Sequence, residues 1–111
     1  MRHGDAKATL GFALPARWVI HTVGPVWGGG RSGEHDLLGR CYRRCLEVAV
    51  HLGARTVAFP AISTGVYGFP KDAAAEIAVS TVRAFTGPVD EVTLVAFGSD
   101  DRARYERLLA G

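Results

Sequence analysis

"AFPAISTGVYGFPKD", residues 58–72, joins an apolar run to an amphipathic one. Thr56 to Ile62 reads as a strand, and Pro60 ends its regular hydrogen bonding because proline has no N–H to give. A helix is predicted from about Pro70 to Phe85. Pro70 suits a first helical position, where its missing donor would be unpaired anyway. Ala74, Ile77, Ala78, Thr81, Val82 and Phe85 recur at helical spacing, and Gly87-Pro88 stops the helix. The junction between them, Ser63 to Phe69, is a run of small, flexible and aromatic residues.

The same strand-to-helix unit recurs on both sides. Trp18 to Val23 is a compact strand ended by Gly24-Pro25. From about His35 to Leu52, the positions Leu37, Leu38, Cys41, Tyr42, Cys45, Ala49 and Leu52 mark a helix, with Glu34 and Asp36 at its start and Gly53 at its stop. Glu91 to Phe97 is a third strand. A last helix runs from about Asp100 to Leu109, with Ser99 as its N-cap and Asp100 and Asp101 complementing its dipole. This alternation predicts an α/β fold with a mostly parallel sheet and right-handed crossovers. The near-continuous apolar strands predict helices on both faces, a three-layer α/β/α arrangement.

The chain has 111 residues, a net charge of +2, 48% hydrophobic and 22% charged residues. That is one domain with one modest core and an ordinary globular composition. Its basic residues are scattered, and Arg40, Arg43 and Arg44 form a solvated helix face without interleaved aromatic platforms, so no nucleic-acid partner is expected. No apolar run approaches a membrane span, and MRHGDAKATLG lacks the apolar core of a secretory signal. No membrane partner is expected, and the compartment expected is the cytoplasm. Cys41 and Cys45, four apart on one helix, are read as small buried hydrophobes. They have no His or Cys partner set for zinc, and a disulfide does not suit that compartment. No metal and no cofactor are expected.

Ligands of open α/β sheets sit beyond the carboxyl ends of the strands. There the junction at 63–69 meets a helix N-terminus, where unpaired N–H groups and the dipole favour an anion. Gly65 and Gly68 allow close backbone approach, Ser63 and Thr64 add hydroxyls, and Tyr67 and Phe69 offer ring faces to a sugar or base. The combination points to a phosphate-containing, nucleotide-like ligand, with a plain connecting loop as the competing reading. The dinucleotide G-x-G-x-x-G is absent, and Gly65-x-x-Gly68-x-x-Lys71 lacks the Walker spacing.

"VIHTVGPVW" (19–27), "AFPAISTGVYGFP" (58–70) and "LVAFGSDDRARYERLL" (94–109) resemble the MacroD-type macrodomains, and so does the lead-in "GDAKATLGFALPARW" (4–18). The resemblance runs through nearly all of the chain, and it implies a single partial macrodomain over 1–111. Members of that family bind ADP-ribose and remove it from proteins or deacetylate O-acetyl-ADP-ribose. By resemblance, Ser63, Thr64, Gly65, Val66 and Gly68 contact the diphosphate, Tyr67 lies along the distal ribose, and Phe97 faces the adenine. Phe69 belongs to the same ligand loop. Gly98 stands where the family often has an acidic residue.

The resemblance also implies that the family's first strands, its adenine-reading Asp, and its Asn with a glycine-rich loop have no counterpart in this chain. Trp27 to Gly33, though glycine-rich, follows the strand at 18–23 and is read as a flexible connector. One missing strand is expected between the strands at 18–23 and 56–62. These would then either pair directly or expose unpaired edges, inviting self-association through the uncovered sheet. No general base is evident. Asp72 is read as dipole-complementing, His21 as a hydrogen-bonded core histidine, and His3, His35 and His51 as superficial. Two readings therefore stand: an ADP-ribose-binding domain of the hydrolase class without its catalytic loop, and a non-catalytic fragment acting by association. A generic nucleotide-phosphate binder is the third.

Overall fold

The computed structural model describes residues 2–11 and 16–111. Residues 12–15 of the lead-in lie outside them. Along the chain run β1 (Ala6–Leu10), β2 (Trp18–Thr22), α1 (Glu34–His51), β3 (Thr56–Phe59), α2 (Lys71–Ala84), β4 (Glu91–Leu94) and α3 (Ser99–Ala110). Each element predicted from the sequence is present, and the strands are shorter than predicted. Pro60 ends β3 as its missing donor requires. β4 closes at Leu94, with one further ladder bond from Val95 N–H to the Phe59 carbonyl at 2.8 Å. Gly98 rather than Ser99 is the N-cap of α3, and no side chain caps it.

The sequence reading missed β1. Its signal is a bare alternation in A-K-A-T-L, with Ala6 and Ala8 half-buried and Lys7 and Thr9 exposed. β1 pairs antiparallel with β2, Ala6 opposite Thr22 and Leu10 opposite Trp18. β3 and β4 pair in parallel, Thr56 opposite Glu91 and Phe59 opposite Leu94. The parallel pairing holds for the second pair, and the first makes the observed set mixed.

The two pairs form separate two-stranded sheets, and β2 and β3 exchange no hydrogen bonds. Of the two arrangements open to these strands, the chain takes the one with unpaired edges. α1 holds both pairs together. Its buried stripe, Leu38, Cys41, Tyr42, Cys45, Leu46 and Ala49, follows the i, i+3, i+4 rhythm of one helix face. Ala6 and Ile20 from the first pair and Val57, Phe59, Val92 and Leu94 from the second pack into one core with that stripe. The Tyr42 and Phe59 rings meet at 5.0 Å. α1 ends in a Schellman turn: Gly53, at φ 75°, donates to Val50 and Ala54 donates to Ala49.

α2 adds Ala74 and Ala78 to this core, while Ala75 and Val79 meet Tyr105 of α3 in a second cluster. Leu94 touches both clusters, so among the described residues all three helices cover the same strand face. Thr56, Ala58 and Thr93 on the opposite face are exposed. Among the described residues no helix is long and apolar enough to cross a membrane.

Candidate ligand-binding site

The junction 63–69 folds into a closed loop. Ser63 accepts from the Phe69 N–H at 2.9 Å, and inside this ring Gly65 accepts from Gly68 at 3.0 Å. Gly68 turns at φ 72°, and Ser63, at φ 65°, is the sole non-glycine with positive φ among the described residues. A left-handed residue of this kind costs about 1–2 kcal/mol, which the surrounding bonds must hold. From outside, the Trp27 N–H donates to the Tyr67 carbonyl at 2.8 Å.

The result is a cup. Gly68 and Phe69 spend their amides inside the loop, while Thr64, Gly65, Val66 and Tyr67 donate to no acceptor among the described residues. These four N–H groups sit immediately before the N-terminus of α2, whose first turn carries its own unsatisfied donors. Successive free amides ahead of a helix N-terminus are the donors an anion takes. Val66 is fully exposed and Tyr67 half-exposed, so the rim is open. Gly65 has nothing within 4 Å of where a Cβ would stand.

The sequence-derived site residues divide. Thr64, Gly65, Val66 and Tyr67 line the mouth. Phe97 is 98% exposed, past the carboxyl end of β4, with its ring free. Gly68 supplies the turn rather than a free donor. Phe69 does not present a ring face to solvent: it is 2% exposed and packs against Trp27 at 4.9 Å and His35 at 5.5 Å. Apolar burial explains this, because Phe69 is the anchor by which the loop's end enters the core. The Ser63 hydroxyl also turns inward and is buried without a hydrogen-bond partner.

Two further expectations change. Trp27 to Gly33 is a clamped turn, not a flexible connector. Glu34, which the sequence places at the start of the helix, is 2% exposed and accepts from the amides of Gly28, Gly30 and Ser32 at 2.9, 2.8 and 2.6 Å. The Gly30 and Gly28 bonds lead in holding its carboxyl down at about 2. Sequence reading missed this role; the signal available was an acidic residue directly after a glycine-rich run. His21 is exposed on β2, its Nε2 at 2.9 Å from the Thr9 hydroxyl, rather than in the core. Its ring faces away from α1 because the apolar neighbour Ile20 takes the buried side. Asp72 does sit in the first turn of α2, and it also pairs with Arg104 Nε at 2.6 Å. Arg104 also reaches Asp101 Oδ1 at 2.9 Å within α3, and its bond to Asp72 ties α3 to the first turn of α2.

Cys41 and Cys45 are buried free thiols. Burial pushes Cys45 up to about 11 and Cys41 upward.

The fold and the amide-lined cup define an α/β domain that presents a strand–loop–helix junction to a ligand beyond its strand ends. The sequence model of the macro domain matches residues 1–78. A macro domain-containing protein of Ralstonia nicotianae is 54% identical over 108 residues, 97% of this chain and 63% of its own length. An O-acetyl-ADP-ribose deacetylase of Klebsiella pneumoniae is 51% identical over 110 residues, 96% of this chain and 63% of its own. The solved macrodomain of Oceanobacillus iheyensis with ADPR superposes with a TM-score of 0.94 at 39% identity, over 99% of this chain and 60% of that one. The chain belongs to the macro domain family. It spans just under two thirds of the length of these relatives.

Proposed function

We propose that this chain binds ADP-ribose, free or on a modified protein, with the diphosphate in the cup at 63–68. The observation that carries this is the set of free amides on Thr64, Gly65, Val66 and Tyr67 ahead of α2. Two phosphates need several donors without a competing acceptor, and the loop offers four on backbone held by its own hydrogen bonds. Tyr67 lies along the distal ribose and Phe97 stacks on the adenine. ADPR in the Oceanobacillus structure and the deacetylase name of the Klebsiella relative support this ligand class.

The reaction class is deacetylation of O-acetyl-ADP-ribose, the activity that names the Klebsiella relative, or the release of ADP-ribose from protein that the family resemblance implies. In our reading this chain holds the diphosphate wall, and the Asn and glycine-rich loop that the family resemblance places at the distal ribose have no counterpart in it. The buried free thiols suit a reducing compartment, which we take to be the cytoplasm.

Calorimetric titration with ADP-ribose, with ATP as competitor, tests the ligand. Saturable binding that ATP competes for poorly is the expected result. No heat at millimolar ADP-ribose overturns the proposal, and equal competition by ATP favours a generic nucleotide binder.

A second reading rests on a separate observation: among the described residues β2 pairs only with β1 and β3 only with β4, which leaves each with an unpaired edge. Such edges are templates for another strand, so the chain self-associates through the uncovered sheet. Size-exclusion chromatography with light scattering tests it, and a monomer at all concentrations sinks it.

A further inference from the structure

The turn 28–32 and the loop 63–69 are far apart in sequence, yet they are mechanically joined. Glu34 is the sole buried charged residue in the described core, and its carboxylate has no ion-pair partner among the described residues but takes the backbone amides of the turn before α1. Oε2 accepts from Gly28 and Gly30, and Oε1 accepts from Ser32. Three charge-assisted bonds fold a five-residue turn around one side chain. Gly29, Gly30 and Gly33 supply the positive φ values that such a tight wrap demands.

This turn in turn seats Trp27. A Cβ on Gly30 would stand 2.8 Å from Cη2 of the Trp27 ring, so the indole lies directly against the clamped backbone. The ring's other neighbours are His35, edge-on at 5.5 Å, and Phe69 at 4.9 Å. The Trp27 N–H also holds the Tyr67 carbonyl. Trp27 therefore grips the cup twice, by its ring at Phe69 and by its backbone at Tyr67.

We propose that Glu34 is a positioning residue for the ligand cup, acting through Trp27 to fix the 63–69 loop. The carboxylate never touches the ligand. It sets the register of Gly28 to Ser32, that register sets the Trp27 ring and amide, and these hold the carbonyl and the aromatic anchor of the loop. Neutralising Glu34 removes the charge that gathers three amides, and the loss is read at residues 63–69, some thirty positions along the chain. The ligand consequence rests on the ADP-ribose reading above; the loop consequence does not.

Hydrogen exchange in the full chain separates the two. In Glu34→Gln the amides of Gly68 and Phe69, protected by Gly65 and Ser63, exchange at least about tenfold faster than in the parent, while amides of α2 and β3 keep their rates. ADP-ribose affinity of the folded variant falls by about tenfold or more. Loop amides that slow or quicken only in step with α2 and β3 overturn the proposal, since a general loss of stability does the same everywhere. Should Glu34→Gln not fold, Gly30→Ala displaces Trp27 without touching the carboxylate, and the same local exchange pattern is expected. Unchanged Gly68 and Phe69 rates in that variant overturn the proposal. A parent that binds no ADP-ribose sinks the ligand reading alone and leaves the exchange comparison to decide the role of Glu34.

Discussion

Gly24 and Ser63 touch: a Cβ on Gly24 would stand 2.3 Å from the Ser63 hydroxyl oxygen and 2.6 Å from Cγ2 of Ile62. The loops that follow β2 and β3 thus meet at the strand ends, although the strands themselves exchange no hydrogen bonds. Gly24→Ala cannot be accommodated without moving the Ser63 hydroxyl and the Ile62 side chain. Overpacking of this kind costs about 1–3 kcal/mol, and a lowered urea midpoint with an unchanged m-value is the expected observation.

Gly65→Glu separates binding from folding. Open space surrounds the position and its φ is not positive, so the side chain fits without strain. A carboxylate placed among the free amides repels the diphosphate. Circular dichroism and melting temperature stay at the parent values, and the calorimetric signal for ADP-ribose vanishes.

Phe97→Ala tests the base side. The ring is fully exposed and contributes little to the fold, so stability changes by less than about 0.5 kcal/mol. Loss of a base stack weakens binding by about 1–3 kcal/mol, read as a raised Kd with unaltered stoichiometry.

Glu34 makes stability depend on acid. Its carboxyl lies at about 2 in the folded chain against an ordinary 4.5, so the folded state favours the ionised form. The stabilisation is fully present above the unfolded value. It is lost as pH falls from about 4.5 through about 2, because the proton then binds the unfolded chain first. The carboxylate's named partners are three backbone amides, with no ion pair among the described residues. Urea midpoints measured between pH 6 and pH 2 should fall more steeply for the parent than for Glu34→Gln.

Cys41 and Cys45 are shielded and their thiols are pushed upward by burial, so neither supplies thiolate near neutral pH. Ellman's reagent should titrate no thiol in the native chain at pH 7.5 and both thiols in denaturant. Rapid reaction of either in the native state would contradict their place in the α1 core.

The sequence by itself determined the helices, the junction at 63–69 and the family. Leu38, Cys41, Tyr42 and Cys45 declare a buried helix face by spacing alone, and Pro70 and Gly53 mark helix ends by backbone chemistry that acts within a few residues. The tertiary structure alone decided the rest. That β1 pairs with β2 but β2 not with β3, that Phe69 turns inward while Phe97 stays out, and that Glu34 closes on three amides all depend on neighbours brought together by folding. Local patterns record which residues prefer burial or a turn. They do not record which distant backbone, ring or amide will be there to receive them, and the cup at 63–68 owes its shape to that second kind of information.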